Sequence, residues 1–292
     1  MKKRTGCLGI VIILLLFAVF LFWPSSSGDQ SIILSDSFDN NDNGWDLQNS
    51  AKIENGELLI PAGGDTVIIP SNMFLKNGSI SVDMEYKSGD KGNVFGIMFR
   101  SPAEEDGFDL FLIDSRGDFI LRYNGKTDLA ERSGYISKEG TSSIVAELYG
   151  KLIRISVNGN TVVEVYEDTP PGGGFALFSG GDSEVAFDNL EVKDFDKLSP
   201  NISGKVYYND GKLADAPVTA YMVIDDKTLK VAVIDETRTD ENGEYSFYLP
   251  GDASYFVEST VENGKISSDR YADLRIPDSG LNLDIHLSAE GK

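Results

Sequence analysis

Cysteine is almost absent from this sequence: Cys7 is the only one in 292 residues. A single thiol excludes an intrachain disulfide, a Cys-rich zinc site and a CxxC redox pair. Histidine is as scarce, with His286 alone. A Ser-His-Asp triad would have to use it, and no nucleophile-elbow pattern lies nearby. Leu283, Ile285 and Leu287 alternate as one face of a strand, which puts His286 on the other face with Asn282 and Asp284, toward solvent. Basic residues are outnumbered, 26 against 47 acidic, for a formal net charge of −21. Beyond residue 30 the count is 23 basic against 46 acidic. Such a field repels nucleic acid and anionic lipid, and it suits solubility or capture of divalent cations. Past residue 30 there is also no sustained 3.6-residue apolar period, which argues against helices. What is present is a hydrophobic share of 41%, an aromatic share of 10%, and thirty glycines against ten prolines. That composition builds real cores joined by tight turns.

One long apolar run stands apart. Met1-Lys2-Lys3-Arg4 is basic, and Leu8 to Trp23 then carries no charged or polar side chain for 16 residues. A spanning helix wants about 20 apolar residues and a cleaved signal peptide about 7–15. Phe22 and Trp23 sit where an interfacial aromatic belt belongs, and the leading positive charges keep the N-terminus inside. The expectation is one N-terminal transmembrane helix over residues 1–30, with the rest of the chain outside the cell membrane. Secretion after cleavage beyond the Ser25–Gly28 stretch is the alternative. Cys7 precedes the run, so it is not placed as a lipoprotein cysteine, although a juxtamembrane thiol can carry a palmitoyl group.

The remainder alternates with period two. Ile80–Tyr86, Thr161–Tyr166 and Leu281–Leu287 are examples. Asn-Gly pairs occur at Asn55, Asn77, Asn124, Asn158, Asn242 and Asn263. Between strands such a pair favours a turn with positive φ at both central positions, and Ile153–Tyr166 around Asn158-Gly159 is the cleanest hairpin. Short strands at this spacing imply a sandwich or barrel. A boundary falls near Lys197–Pro200, between a closing strand at Val185–Val192 and an opening one at Ile202–Tyr208. The fold class is therefore all-β, with a larger domain over residues 31–196 and a smaller one over 199–292.

Both segments resemble known families. Asp36-Ser37-Phe38-Asp39 with Gly44-Trp45, Glu54–Leu58, Gly96–Arg100, Val157-Asn158-Gly159 and Phe187–Val192, in that order, resemble concanavalin A-like lectin/glucanase domains of the laminin-G-like kind. The resemblance implies a jelly-roll β-sandwich. The family holds sugar binders, protein binders and hydrolases, so it leaves function to be argued from sites. Ile202–Val206, Ala216–Ala220 and Thr239–Pro250 are similar to carboxypeptidase regulatory-like domains. This second likeness implies a smaller Ig/prealbumin-like, transthyretin-type sandwich, in general an accessory module without catalytic residues.

Three kinds of site are candidates. For catalysis, retaining glycosidases need two carboxylates about 5–5.5 Å apart, and the glucanase relatives carry Glu-x-Asp-x-x-Glu on a strand. The nearest match, Glu104–Asp109, ends in Asp, contains Gly107 and reads as a loop, so no catalytic residue is expected. For metal, Asp39, Asn41 and Asn43 offer oxygens at alternate positions with Gly44 at the sixth, as a calcium loop does; Ser50 stands where an EF-hand has Glu. Asp36 and Asp188 would complete a structural calcium site if first and last strands are neighbours. An ordinary turn explains the same residues. For ligand binding, alternation sorts the strands near Phe95–Tyr123 into two sets. Phe95, Ile97, Phe99, Phe108, Leu110, Leu112, Phe119, Leu121 and Tyr123 suit the core. Met98, Arg100, Asp109, Phe111, Ile120 and Arg122 make a mixed face. There Arg100, Asp109 and Arg122 would hold hydroxyls or an acidic sugar with Phe111 as a platform; ion pairing with surface carboxylates is the plainer account of the arginines. Trp45 is expected to pack over the first strand. The functional expectation is a membrane-anchored, non-catalytic binder of carbohydrate or another surface polymer. Alternatives are a structural or assembly protein of the cell envelope and, less favoured, a glycoside hydrolase. Oligomeric state is not legible.

Overall fold

The computed structural model describes residues 31–292, apart from 64–65, 69, 71–72, 102–107, 124–126, 168–171, 226–229, 262–265, 269–270 and 290–292. The expected anchor and Cys7 lie outside the described residues. Among the described residues no helix is long and apolar enough to cross a membrane. Every regular element described is a strand except one 3-10 turn, Phe195–Lys197, in accord with the missing 3.6-residue period.

Two antiparallel sheets hold residues 32–194. The first has eight strands, in the order Asn160–Tyr166, Leu152–Val157, Thr141–Tyr149, Gly78–Gly89, Ser183–Asp194, Glu57–Ile60, Lys52–Glu54, with Ile32–Asp36 also paired to Ser183–Asp194. The second has six, in the order Thr66–Ile68, Gly174–Ser179, Phe95–Ser101, Asp109–Ile113, Asp118–Tyr123, Thr127–Arg132. First and last strands are neighbours, with Asp36 opposite Leu190. The sheets stack because each has one apolar face. Ile80, Val82 and Met84 alternate inward from the first while Ser79, Ser81, Asp83 and Glu85 stay half-exposed on its other side. They share one core with Ile97, Phe111, Leu121 and Leu177 of the second. Each such fully buried side chain contributes roughly 1.5–3 kcal/mol of burial free energy before entropy is counted. The Asn158-Gly159 hairpin forms as read, with φ of 49° and 76°. Asn77-Gly78 makes no hairpin. It opens strand Gly78–Gly89, and the buried Asn77 side chain bonds two separate segments, accepting from the Gly150 N–H at 2.7 Å and donating to Asp196 at 2.9 Å.

The C-terminal residues form a further sheet of ten short strands, opened by Ile202–Tyr208. The stretch Leu281–Leu287 reads as one strand but forms two, Leu281–Asn282 and Ile285–Ala289, both parallel to Ile202–Tyr208. Between them the Leu283 carbonyl crosses Gly204, where an added Cβ would lie 1.8 Å away, and Asp284 accepts the Lys205 N–H at 2.9 Å. His286 is exposed, as its alternation predicts, and stacks on Tyr207 at 4.9 Å. A second core belongs to this sheet, yet it includes Tyr149, Leu152 and Phe195 from outside it.

Candidate functional site

The centre of the six-stranded sheet fixes what its outer face presents. The turn at Asp114–Asp118 sets the register: Asp114 accepts the N–H groups of Arg116 and Asp118 through one carboxylate oxygen, at 2.9 and 3.0 Å. Ile113 then faces Phe119 and Phe111 faces Leu121. Across the other edge Phe111 faces Ile97. Side chains at directly paired positions share a face, so Phe111 and Ile113 point into the core, where Phe111 packs on Phe119 at 5.5 Å. Leu110 and Leu112 lie on the opposite, outer side, where neighbouring groups leave them only 8% and 6% exposed. This reverses the expected phase of strand Asp109–Ile113. A run of consecutive apolar residues does not reveal its own phase.

Arg100 departs from alternation for a different reason. The register between strands Phe95–Ser101 and Gly174–Ser179 shifts between the pairs Ser101–Gly174 and Met98–Ala176. A bulge of this kind re-aims a side chain. At the bulge Arg100 has φ of 51°, and both Phe99 and Arg100 are 1% exposed. Arg100 forms a buried ion pair with Glu167 and donates to the Gly150 carbonyl at 2.6 Å. Burial holds its pKa below the usual arginine range, against the opposing pull of Glu167 and Asp109. Asp109 is likewise buried. Of the four residues expected to bind a ligand, Arg100, Asp109 and Phe111 therefore point inward, and Arg122 faces outward, half-buried, with Met98 and Ile120 of the expected mixed face.

The outer face that results has two rows. One runs Ala176, Met98, Leu110, Arg122; the other runs Phe178, Gly96, Leu112, Ile120, Ala130. Gly96 leaves the second row without a side chain at its middle, and the position requires it, since a Cβ there would meet the Phe111 carbonyl oxygen at 2.1 Å. The hollow above these rows measures about 750 Å³, with Phe108, Asn93 and Gly180-Gly181 around it. A smaller hollow of about 370 Å³ adjoins it, sharing Gly92, Val94 and Ile120. Together they make one trough. The floor of the larger hollow is apolar with Arg122 beside it, and Asp114, Arg116, Asp118 and Glu131 border the smaller one.

The two-carboxylate arrangement of a glycosidase is not assembled there by the described residues. Among the described residues the larger hollow has no carboxylate in its lining. In the smaller one, Asp114 is bonded to Arg116 and Asp118 to Arg132, which holds the Asp118 carboxyl below its usual range. Of the run Glu104–Asp109, residues 104–107 lie outside the described residues. A third hollow of about 570 Å³ lies on the C-terminal sheet, where Lys205 pairs with Glu244 and Arg238 with Asp215.

The residues expected to hold calcium form a hydrogen-bonded clasp around Trp45. One Asp36 oxygen accepts the Phe38 N–H at 2.7 Å; the other accepts both the Trp45 indole N–H and an Asn43 amide hydrogen at 2.7 Å. The Asn41 side chain accepts from the Trp45 N–H and donates to its carbonyl. Asp39 is exposed and accepts from Ser37, and Asp188 accepts the Asn189 N–H. Among the described residues no three acidic, His or Cys side chains gather as a metal-ligand group. Trp45 packs as expected, 5.5 Å from Phe38 and 6.5 Å from Phe175.

No protein-family model matches this sequence, and no curated protein does. Solved structures similar to part of the chain include a carbohydrate-binding module, CBM66, from Bacillus subtilis. It is 19% identical with a TM-score of 0.41, over 47% of this chain and 86% of that one. A β-glucanase from Bacillus licheniformis is 13% identical with a TM-score of 0.46, over 57% of this chain and 99% of that one. The transglycosylase Crh5 is 14% identical with a TM-score of 0.46, over 56% and 84%.

Sequence reasoning placed Met98, Ile120 and Arg122 on the outer face and missed Leu110 and Leu112. The signal was present. Once Phe119 and Leu121 are assigned to the core, counting across the Asp114–Asp118 turn puts Phe111 and Ile113 there too.

Proposed function

We propose that this protein binds an elongated polymer, a glycan strand, along the outer face of its six-stranded sheet, without cleaving it. The observation that carries the reading is the trough itself: about 750 Å³ with an adjoining 370 Å³, floored by sheet residues and bordered by the loops of Asn93, Phe108 and Gly180-Gly181. Its volume lies in the range of ligand sites, roughly 300–1,000 Å³, and it has their pattern of an apolar floor with a few placed polar groups. The half-buried Met98 and Ile120 take the apolar face of a sugar ring, and Arg122 and Asn93 its hydroxyls or a carboxylate. The two hollows share side chains, which favours a chain over a single small molecule. The net charge of −21 excludes nucleic acid as the polymer on electrostatic grounds. We also propose that residues 1–30 tether the trough outside the cell membrane, on the strength of the basic start and the apolar run that follows.

The test is binding of the full chain to a glycan array and to insoluble polysaccharides. Arg122→Ala and Met98→Asp are expected to weaken retention at least tenfold without changing the circular dichroism spectrum. Retention unaffected by both variants, or no retention on any polymer, refutes the reading. Release of new reducing ends during the same incubation refutes its non-catalytic part.

A further inference from the structure

The buried pair of Arg100 and Glu167 has no part in the trough, yet it lies where the sheets of residues 32–194 meet the C-terminal sheet. The Gly150 carbonyl that accepts from Arg100 belongs to a turn pressed against the C-terminal strand Lys230–Arg238. A Cβ on Gly150, whose φ is 53°, would sit 2.2 Å from the Ile234 carbonyl oxygen. That same oxygen accepts the Lys151 N–H. Beside these polar contacts, Tyr149 stacks with Phe195 at 5.0 Å and with Tyr248 at 6.3 Å, within the second core. At the rim Arg154 reaches Asp252 at 3.2 Å.

Domains joined through small polar interfaces move relative to one another by default. This joint differs on two counts. Its apolar part is shared core, so separating the halves opens the C-terminal core. Its polar part buries a guanidinium and a carboxylate at 0% and 1% side-chain exposure, groups that are costly to disturb once out of water.

We infer that residues 31–292 fold and open as one rigid body locked at this joint, and that Arg100 is a positioning residue for the trough. The second half rests on the trough reading; the first does not. The link is short. Arg100 follows Met98 by two positions on the same strand, and its neighbour Phe99 pairs with Asp109, the first residue of the strand that carries Leu110 and Leu112. Fixing Arg100 therefore fixes the ends of both strands under the trough.

Hydrogen exchange followed by mass spectrometry on the full chain tests the inference. Tyr248→Ala, made in the C-terminal sheet, is expected to lower protection at least tenfold in Ser254–Val261. It should lower protection by a similar factor in Phe95–Ser101 and Asp109–Ile113. Loss confined to residues 202–289 overturns the single-body inference. Should Tyr248→Ala fail to fold, Arg154→Ala gives the same readout through a milder change at the rim. For the positioning role, Arg100→Met is expected to reduce polymer affinity several-fold and Arg100→Lys to restore part of it; equal affinity in all three forms overturns that role. A loose joint in a chain whose binding still depends on Arg122 sinks this inference and leaves the trough. A tight joint in a chain that binds no polymer does the reverse.

Discussion

Replacing Arg100 by Met leaves the Glu167 carboxylate, 1% exposed, facing a thioether instead of a guanidinium. Removing one member of a buried ion pair costs about 3–5 kcal/mol, because the remaining charge can neither return to water nor find a substitute. Glu167→Met on its own strands the guanidinium in the same way, and a similar cost is expected. The double change Arg100→Met/Glu167→Met removes both charges and puts two side chains of comparable volume in their place. Apolar replacement of a whole buried pair is often neutral or better; here the buried Asp109 and the Gly150 carbonyl also lose Arg100, so the double variant should still cost about 1–3 kcal/mol, well short of the sum of the singles. The coupling would then reach several kcal/mol, at or beyond the upper end usual for residues in contact. In a body of this size each kcal/mol moves the melting temperature by about 2–4 °C. The single variants should then melt about 6–20 °C lower, and the double variant should recover part of that loss. Urea and thermal unfolding of the full chain, followed by far-ultraviolet circular dichroism, measures all four corners of the cycle. Single variants within 1 kcal/mol of the parent would mean that the pair is solvated. A double variant costing the sum of the singles would mean that the residues act separately. Either result refutes the account of Arg100 as half of a buried pair.

Three further outcomes follow from other contacts. Asp36→Ala strips acceptors from the Phe38 N–H, the Trp45 indole and Asn43, and with the indole buried it should cost about 2–3 kcal/mol in a urea titration; an unchanged midpoint would show the clasp to be dispensable. Gly150→Ala forces a side chain into a positive-φ site against the Ile234 carbonyl, and it should lower the melting temperature by more than the few degrees expected of a surface change. Burial raises the Asp235 carboxyl above the usual aspartate range. The folded state then holds that proton more tightly than the unfolded one, so the penalty is absent below the unfolded pKa and complete once pH has risen through the folded one. Asp235→Asn should therefore stabilise the chain at pH 7 and lose that advantage on acidification toward pH about 3; stabilisation that is the same at both values would point to packing rather than charge.

The all-β class was legible because alternation runs through strand after strand, and because turn residues punctuate it. Ser183–Asp194 and Ile202–Tyr208 lie where a closing and an opening strand were read. The site was legible only in part, and each failure has a local cause. Leu110–Ile113 is apolar at every position, so its phase comes from the partner strand and not from itself. Arg100 obeys alternation until a bulge that leaves no mark in composition turns it inward. The spacing Asp39-x-Asn41-x-Asn43-Gly44 is one that calcium loops and turns share. Spacing alone does not separate the two; in the structure the Asn41 and Asn43 amide hydrogens go to the Trp45 carbonyl and to Asp36. The shared core of Tyr149 and Leu152 was missed: Leu148-Tyr149 and Leu152-Ile153 are apolar and buried on both faces where their strands meet the turn, but nothing local says what covers the second face.

The outer faces of the two stacked sheets offer an internal control on whether the trough is functional. On strand Gly78–Gly89 the outward positions are Ser79, Ser81, Asp83 and Glu85, the polar choice expected of a sheet face in water. On the six-stranded sheet the equivalent central positions are Met98, Leu110, Leu112 and Ile120. The same chain, at the same acidic net charge, thus follows the solubility rule on one face and breaks it on the other. Leu110 and Leu112 are only 8% and 6% exposed, so the half-buried Met98 and Ile120 carry the apolar surface that this face shows to water, a liability for aggregation unless something covers it. A local breach of a rule that the rest of the sequence obeys is where a functional site is expected. A Met98→Ser/Ile120→Ser pair, at the two half-buried positions, should therefore gain solubility while losing polymer retention. A chain that stays as soluble and binds as well would show that this apolar face serves only to fill space.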